Sequence, residues 1–128
     1  MKKIILFALF LISFMGFSQE FSGTYFKKNE TVDTGFFEYK LHLNDNFTYE
    51  IFIQRKINKN SEIEYFKGLG TWKQEKHKIV FYPENTGVKN EIDMTSVTAR
   101  FDVKKKDELL FYTKKRMSWN LNVGMRKQ

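Results

Sequence analysis

The feature that most constrains the fold of this chain is a two-residue alternation of apolar and polar side chains that recurs in four segments. The segments are residues 37–43 (FEYKLHL), 47–53 (FTYEIFI), 97–103 (VTARFDV) and 117–123 (MSWNLNV). In each of them the odd-numbered positions are apolar and most even-numbered positions are polar. Because successive side chains of a strand point to opposite faces, this pattern predicts strands with one face toward a core and one toward water.

Four further segments are predicted to be strands on their content of β-branched and aromatic residues. They are residues 22–27, 62–74, 77–82 and 108–113. In the 62–74 segment the apolar positions change from odd to even around Gly68 and Gly70, which predicts a bulge or a sharp bend.

Eight strands joined by short links predict an all-β protein, an antiparallel eight-stranded up-and-down meander. Closure of such a meander into a barrel removes its exposed strand edges, so a closed barrel is the preferred architecture. A filled two-layer sandwich is the alternative.

The N-terminus has the pattern of a secretory signal peptide. A basic head, Lys2 and Lys3, precedes an apolar run over residues 4–17 and a small-residue exit at Gly16 and Ser18. The run is shorter than the roughly 20 residues of a membrane-spanning helix, the alternative interpretation. We therefore expect residues 1–18 to be a signal peptide and residues 19–128 to be one periplasmic or secreted domain, with no integral membrane segment in the mature chain. The sequence contains no cysteine, which excludes disulfides and lipid attachment through cysteine.

The links between the predicted strands alternate in length. Links 44–46, 75–76 and 105–107 are tight, whereas links 28–35, 55–61 and 83–95 are long. Because successive links of a meander lie at opposite ends, the long links are expected to share one end. That end gathers the basic residues Lys27, Lys28, Arg55, Lys56, Lys59, Lys114, Lys115 and Arg116. The link 83–95 carries Glu84, Glu91 and Asp93 and is expected to act as an acidic flap across them.

This layout resembles the lipocalin-like (calycin) barrels of bacterial type. In that family a G-x-W triplet lies on the first strand, and an arginine after the last strand packs over its tryptophan. Here the first strand offers Gly23-Thr24-Tyr25, with tyrosine in place of tryptophan, and Arg126 follows the predicted eighth strand. The more exact match, Gly70-Thr71-Trp72, lies on the fourth strand. Trp72 is therefore predicted to be a core anchor at the end of the barrel where the tight links lie, which the resemblance makes the closed end, near Tyr25 and Phe47.

The sequence contains no pattern typical of an enzyme or of a metal site. His42 and His77 lack local partners at metal-ligand spacing, and the carboxylates of Glu38, Glu50 and Asp102 are predicted to face solvent. We expect a non-enzymatic protein with no cofactor and no metal. Basic residues interleave with aromatic ones in "FYTKKRMSW", but the expected compartment argues against nucleic acid as a partner.

Two functions remain open, and both are binding functions. The first is binding of a small apolar or amphipathic anionic ligand at the basic open end of the barrel. The ligand-binding candidates are Lys28, Tyr39, Tyr49, Arg55, Lys56, Phe101, Arg116 and Trp119. The second is a filled barrel that uses the same basic loops, with Lys114, Lys115 and Arg116, to bind an acidic protein partner, as an inhibitor or immunity-type module would. A hollow and a filled interior are equally compatible with the sequence.

Overall fold

The computed structural model describes residues 21–105, 107–113 and 124–128. These residues form eight strands, namely β1 (Gly23–Glu30), β2 (Phe36–Leu43), β3 (Thr48–Lys56), β4 (Glu64–Glu75), β5 (Lys78–Pro83), β6 (Val97–Phe101), β7 (Glu108–Thr113) and β8 (Gly124–Lys127). Each strand pairs antiparallel with the next, and β8 pairs with β1 to close the barrel. The predicted all-β meander barrel is confirmed. The described residues contain no helical segment with the length and hydrophobicity of a transmembrane span.

The alternation in the sequence corresponds to the inner and outer faces of the barrel. Tyr39, Leu41 and Leu43 of β2 are buried, as are Tyr49, Ile51 and Ile53 of β3. Their even-numbered neighbours are more exposed and face outward. The alternation therefore predicts the inward face of these two strands correctly.

Of the two features predicted in the fourth strand, a bulge or a sharp bend, the bulge is wrong. β3 and β4 pair in one unbroken register, from Arg55 opposite Glu64 to Thr48 opposite Thr71. Gly68 and Gly70 occupy inward positions of a regular strand, where neighbours come close. A Cβ on Gly68 would lie 2.7 Å from the Ile92 carbonyl oxygen, and one on Gly70 would lie 2.9 Å from the Tyr49 ring. The glycines mark a close approach, which is the other reason for glycine within a strand.

The structure corrects several predicted strand ends. Phe47 lies in the β2–β3 turn with a left-handed backbone (φ 64°) and is half exposed, so β3 begins one residue later. Val103 lies beyond β6 and is 88% exposed rather than in the core. The eighth described strand is Gly124–Lys127, whereas the predicted segment 117–123 lies outside the described residues.

The links lie as the meander requires. The links 44–47, 76–77 and 102–107 meet at one end of the barrel, named here the tight-turn end. The links 31–35, 57–63 and 84–96 lie at the other, the long-link end.

Trp72 anchors the core near the tight-turn end. Its side chain is 2% exposed, its ring lies 5.1 Å from that of Phe47, and its Nε1 donates to the Asn44 carbonyl at 3.2 Å. Its predicted role as a buried anchor is confirmed, and so is its contact with Phe47.

Arg126 does not take the position that the lipocalin resemblance implies. It lies within β8 opposite Phe26, its side chain is 70% exposed, and its Nε lies 3.3 Å from a carboxylate oxygen of Asp107. Tyr25 is fully buried, and its hydroxyl donates to the carbonyl of Phe21 at 2.5 Å. The main-chain carbonyl of Phe21 is therefore the hydrogen-bond partner of the buried Tyr25 hydroxyl.

The β5–β6 link, residues 84–96, fills the long-link end of the barrel. Ile92 is 3% exposed and Met94 is fully buried, and both belong to the same core cluster as the inward strand residues. The bare backbone of Gly68 makes room for Ile92 against Ile51. Part of the link is therefore a plug in the core, whereas the sequence predicted only an acidic flap.

Candidate functional site

The interior of the barrel is closely packed around its described side chains. Leu41, Ile51, Ile79 and Leu109, on four different strands, are each 0% exposed. A cavity large enough for water would leave accessible surface on the side chains around it. These four positions have the close packing of a protein core.

An ion pair lies on the inner face at the long-link end. Arg55 and Glu64 are cross-strand neighbours on β3 and β4, and the guanidinium donates from Nη2 to the Glu64 carboxylate. The guanidinium also lies over the ring of Phe66, 5.0 Å from its centroid. Arg55 is therefore already partnered by a carboxylate and an aromatic ring. Its Nε is buried without a partner among the described residues.

The two interior tyrosines predicted to touch a ligand are both buried. Burial raises the pKa of Tyr39, and the positive charge of Arg55 opposes that rise. Burial also raises the pKa of Tyr49 strongly, and the negative charges of Asp93 and Glu91 raise it further. The Tyr49 hydroxyl is buried and has no hydrogen-bond partner in the described part of the chain.

The other predicted ligand contacts do not converge on Arg55. Lys28 lies on the outer wall with its Nζ 5.2 Å from the Phe36 ring centroid, and Lys56 is the cross-strand neighbour of Phe36. Phe101 lies at the tight-turn end, stacked on Phe21 at 4.9 Å. Arg116 and Trp119 lie outside the described residues.

A groove of about 480 Å³ lies on the outer wall of the barrel, named here the outer groove. Its floor is the outward face of β2, β3 and β4, and its roof is residues 88–90 of the β5–β6 link. Its lining includes Glu38, Lys40, His42, Phe52, Gln54, Tyr65, Lys67, Val88, Lys89 and Asn90. The groove is therefore made by three central strands and the segment that precedes the plug.

The roof of the outer groove is held by main-chain hydrogen bonds to β4. The amide of Lys67 donates to the Asn90 carbonyl at 3.2 Å, and the amide of Ile92 donates to the Lys67 carbonyl at 2.9 Å. These bonds are available because β5 pairs with β4 only from Gly70 onward. The part of β4 before Gly70 thus forms hydrogen bonds with the link, at an edge where a neighbouring strand would otherwise pair.

Glu91 organises the loop that forms the roof. Both of its carboxylate oxygens accept from the Thr86 amide, at 3.0 and 3.1 Å, and one also accepts from the Thr86 hydroxyl at 2.6 Å. The Thr86 hydroxyl is the main reason that the pKa of Glu91 is lowered, and the amides of Thr86, Val88 and Gly87 contribute. Gly87 and Asn90 adopt positive φ angles of 75° and 63°, which close this short loop.

The floor of the outer groove combines aromatic rings with positive charge. The Lys67 Nζ lies 5.4 Å from the Phe52 ring centroid, and the His42 ring meets that of Phe52 edge-on at 6.1 Å. His42 Nδ1 and the Thr24 hydroxyl lie 2.9 Å apart in a hydrogen bond, which fixes the imidazole. Tyr65 and Val88 are each 62% exposed and add apolar surface.

Positive charge exceeds negative charge in the outer groove. Lys40, Lys67 and Lys89 line it against the single carboxylate of Glu38. None of these lysines lies within salt-bridge distance of a described carboxylate. The groove therefore suits an anionic group next to an apolar one.

The alternation placed Glu38, Lys40 and His42 on the outer wall but did not identify the site. The available signal was Phe52, an aromatic residue at an outward position of an otherwise strict alternation. The roof could not be found in this way, because residues 84–96 have no periodic pattern that would fix their path. Among the described residues, no three His, Asp or Glu side chains form a metal-binding cluster.

Comparisons with protein-family models, with curated proteins and with solved structures each find no match to this chain. The strand pairing alone gives a closed eight-stranded antiparallel barrel, and this barrel is compatible with a lipocalin-like fold.

Proposed function

We propose that this protein is a non-enzymatic binding protein of the periplasm or the extracellular space, and that it holds a small amphipathic anion in the outer groove. The observation that carries the proposal is the groove itself, which combines exposed aromatic surface with three lysines that no described carboxylate neutralises. The volume of about 480 Å³ lies within the roughly 300–1,000 Å³ of small-molecule sites. The apolar part of the ligand would lie on Phe52 and Tyr65, and its charge near Lys67.

We further infer a lipocalin-like relationship in which the ligand site lies outside the barrel. The first-strand triplet Gly23-Thr24-Tyr25 and the meander topology support the relationship. The packed interior and the Arg55–Glu64 ion pair favour the outer wall over the inside as the ligand site.

Native mass spectrometry of the mature protein, purified gently from its own host, tests this proposal. We expect a co-purifying small molecule that is retained by wild-type protein and lost from Phe52→Ala. The matched control is Tyr82→Ala, which removes a half-exposed outward aromatic residue of β5 that does not line the groove. Absence of a bound molecule from wild-type protein, or equal loss from both variants, would overturn the proposal.

A second candidate function is binding of a protein partner at the long-link end. The loops 31–35 and 57–63 are tied together by the Lys59 amide, which donates to the Asp33 carbonyl at 3.1 Å. They present Val32, which is fully exposed, and Ile57, which is 55% exposed. Exposed apolar side chains beside a lysine fit an acidic protein surface with an apolar centre.

A pull-down from the host periplasm or culture medium tests the second function. The double variant Val32→Asp with Ile57→Asp should abolish capture of an acidic partner, and so should charge reversal at Lys114, Lys115 and Arg116. Phe52→Ala, in the outer groove, should leave that capture unchanged. Capture that survives both sets of changes would contradict a partner site at these loops.

A further inference from the structure

A cluster of cations without ion-pair partners lies at the tight-turn end and shares no lining residue with the outer groove. A hollow of about 420 Å³ is lined by Glu75, Lys76, His77, Lys78 and Arg100. A second hollow of about 340 Å³ adjoins it and shares Lys76, His77 and Arg100. Three permanent cations thus surround one carboxylate, and none of the three has a salt bridge to a described carboxylate.

The cations lie where the ladder between β5 and β6 ends. The two strands pair at only two positions, Val80 opposite Thr98 and Ile79 opposite Ala99. Continuation of this register by one residue places Lys78 opposite Arg100, and the pairing stops there. Like charges on directly opposite positions destabilise a sheet. A bound anion between the two side chains would remove that repulsion.

Two contacts position the cations around the hollow. The Arg100 Nε donates to the Tyr112 hydroxyl at 3.1 Å, and its guanidinium lies 4.9 Å from the centroid of that ring. Lys76 adopts a left-handed backbone (φ 56°) in the two-residue turn, and its carbonyl accepts from the Gln74 amide at 3.2 Å. The Asp102 carboxylate accepts from the Lys104 amide at 2.9 Å and lines neither hollow.

We propose that this hollow is a binding site for a tetrahedral oxyanion, a phosphate or sulfate group, held by Lys78, Arg100 and Lys76. Arginine and lysine together are the usual protein donors to such groups. The adjoining hollow is lined by Phe21, Phe101 and Val103, and it would receive an apolar portion attached to the oxyanion. The group can come from a free ion or from the headgroup of an anionic lipid, which share this chemistry. The site is independent of the outer groove.

Titration of the mature protein with inorganic phosphate, followed by amide chemical shifts at constant ionic strength, tests the site. We expect saturable shifts at Lys76, His77 and Lys78, and a melting temperature that rises with phosphate. Lys78→Gln should weaken phosphate binding about tenfold without lowering the melting temperature in phosphate-free buffer. Arg100→Gln should weaken it similarly, and Lys73→Gln, a cation of β4 outside the lining, should leave it unchanged.

A second arm separates the two sources of the oxyanion. Vesicles of phosphatidylglycerol and of phosphatidylcholine are compared for sedimentation of the protein. Sedimentation with phosphatidylglycerol alone, lost in Lys78→Gln, would support a headgroup site even if free phosphate binds weakly. Absence of saturable phosphate binding together with absence of Lys78-dependent vesicle binding would overturn the proposal. So would phosphate or vesicle binding that neither Lys78→Gln nor Arg100→Gln affects.

Discussion

At the scale of single residues, the hydroxyls of two buried tyrosines have opposite consequences for stability. The Tyr25 hydroxyl donates to a main-chain carbonyl at 2.5 Å, whereas the Tyr49 hydroxyl is buried without a partner among the described residues. A buried hydrogen bond contributes about 1 kcal/mol, and a buried polar group without one costs about 1–3 kcal/mol. The same chemical change should therefore act differently at the two positions.

Replacement of each tyrosine by phenylalanine tests this difference. Tyr25→Phe should lower the free energy of unfolding by about 1 kcal/mol, because the Phe21 carbonyl loses its donor. Tyr49→Phe should leave the free energy unchanged or raise it by up to about 1 kcal/mol. Urea unfolding followed by tryptophan fluorescence measures both. A comparable loss in the two variants would show that the Tyr49 hydroxyl has a partner.

Single residues also show where a sequence pattern has two structural meanings. Gly68 and Gly70 predicted a bulge, yet the structure uses them for close approach within a regular strand. The sequence of β4 cannot distinguish the two cases, because the atoms that need the space belong to Ile92 and to Tyr49 on other segments. Phe47 lies one residue before β3 and Val103 lies two residues beyond β6, where the backbone no longer presents alternate faces.

At the scale of elements, the β5–β6 link joins the core to the outer groove. Residues 92 and 94 are buried in the barrel, and residues 88–90 of the same link roof the groove. Side chains of the two parts therefore affect different properties of the protein.

Truncation of the link at two positions separates these properties. Ile92→Ala should lower the free energy of unfolding by about 2–4 kcal/mol, because it leaves a cavity against Ile51. Val88→Ala should change it by less than about 0.5 kcal/mol, because Val88 is largely exposed. Val88→Ala should nevertheless weaken ligand binding in the outer groove. A large destabilisation by Val88→Ala, measured by urea unfolding, would contradict this division of the link.

The loop that Glu91 organises should open in acid. The folded pKa of Glu91 is lowered, so its ionised form stabilises the closed loop. That stabilisation is fully present above the unfolded carboxyl pKa of about 4.5 and is lost as pH falls through the lower folded value. Hydrogen exchange at the Thr86 amide, which donates to the Glu91 carboxylate, measures the opening. This amide should lose protection in acid in wild-type protein.

Two variants give the control for this pH effect. Glu91→Gln should exchange quickly at the Thr86 amide even at neutral pH, because it removes the carboxylate. Glu84→Gln, an exposed change in the same link, should behave as wild type. Protection in Glu91→Gln equal to that of wild type at neutral pH would contradict the role given to the carboxylate.

At the scale of the whole molecule, closure of the barrel depends on its last strand. Four residues of β8 lie in the described part of the chain, and they join β7 to β1 through Tyr25 opposite Lys127 and Phe26 opposite Arg126. Met125 is 1% exposed, and the Gln128 amide donates to the Thr24 carbonyl at 2.8 Å. Residues 124–128 thus cover part of the edges of β1 and β7.

Deletion of residues 124–128 should open those edges. Exposed strands pair with other copies, so we expect dimers or larger assemblies by size-exclusion chromatography with light scattering. Deletion of residue 128 alone removes one main-chain bond and should leave the protein as wild type in this assay. A deletion variant of 124–128 with the wild-type oligomeric state and melting temperature would show that β8 is dispensable.

The whole-molecule architecture follows from the sequence more directly than the site does. The inward positions of β2 and β3, the alternation of tight and long links, and the cost of open edges together predict a closed meander. The contribution of the β5–β6 link to the core does not follow, because Ile92 and Met94 belong to a segment without periodicity and Ile92 needs the space left by Gly68. The outer groove depends on the same segment, so neither the burial of this link nor the location of the site could be predicted from strand patterns.

The link that roofs the outer groove also contributes to the core, and this gives a way to identify the ligand. A molecule that binds only when the roof is in place stabilises the folded state in proportion to the logarithm of its concentration over its Kd. Because main-chain hydrogen bonds join Lys67 to Asn90 and Ile92, ligand binding at the roof would also stabilise the buried residues of the link. Thermal denaturation across a metabolite library would therefore report the natural ligand as the compound that raises the melting temperature of wild-type protein and not of Phe52→Ala.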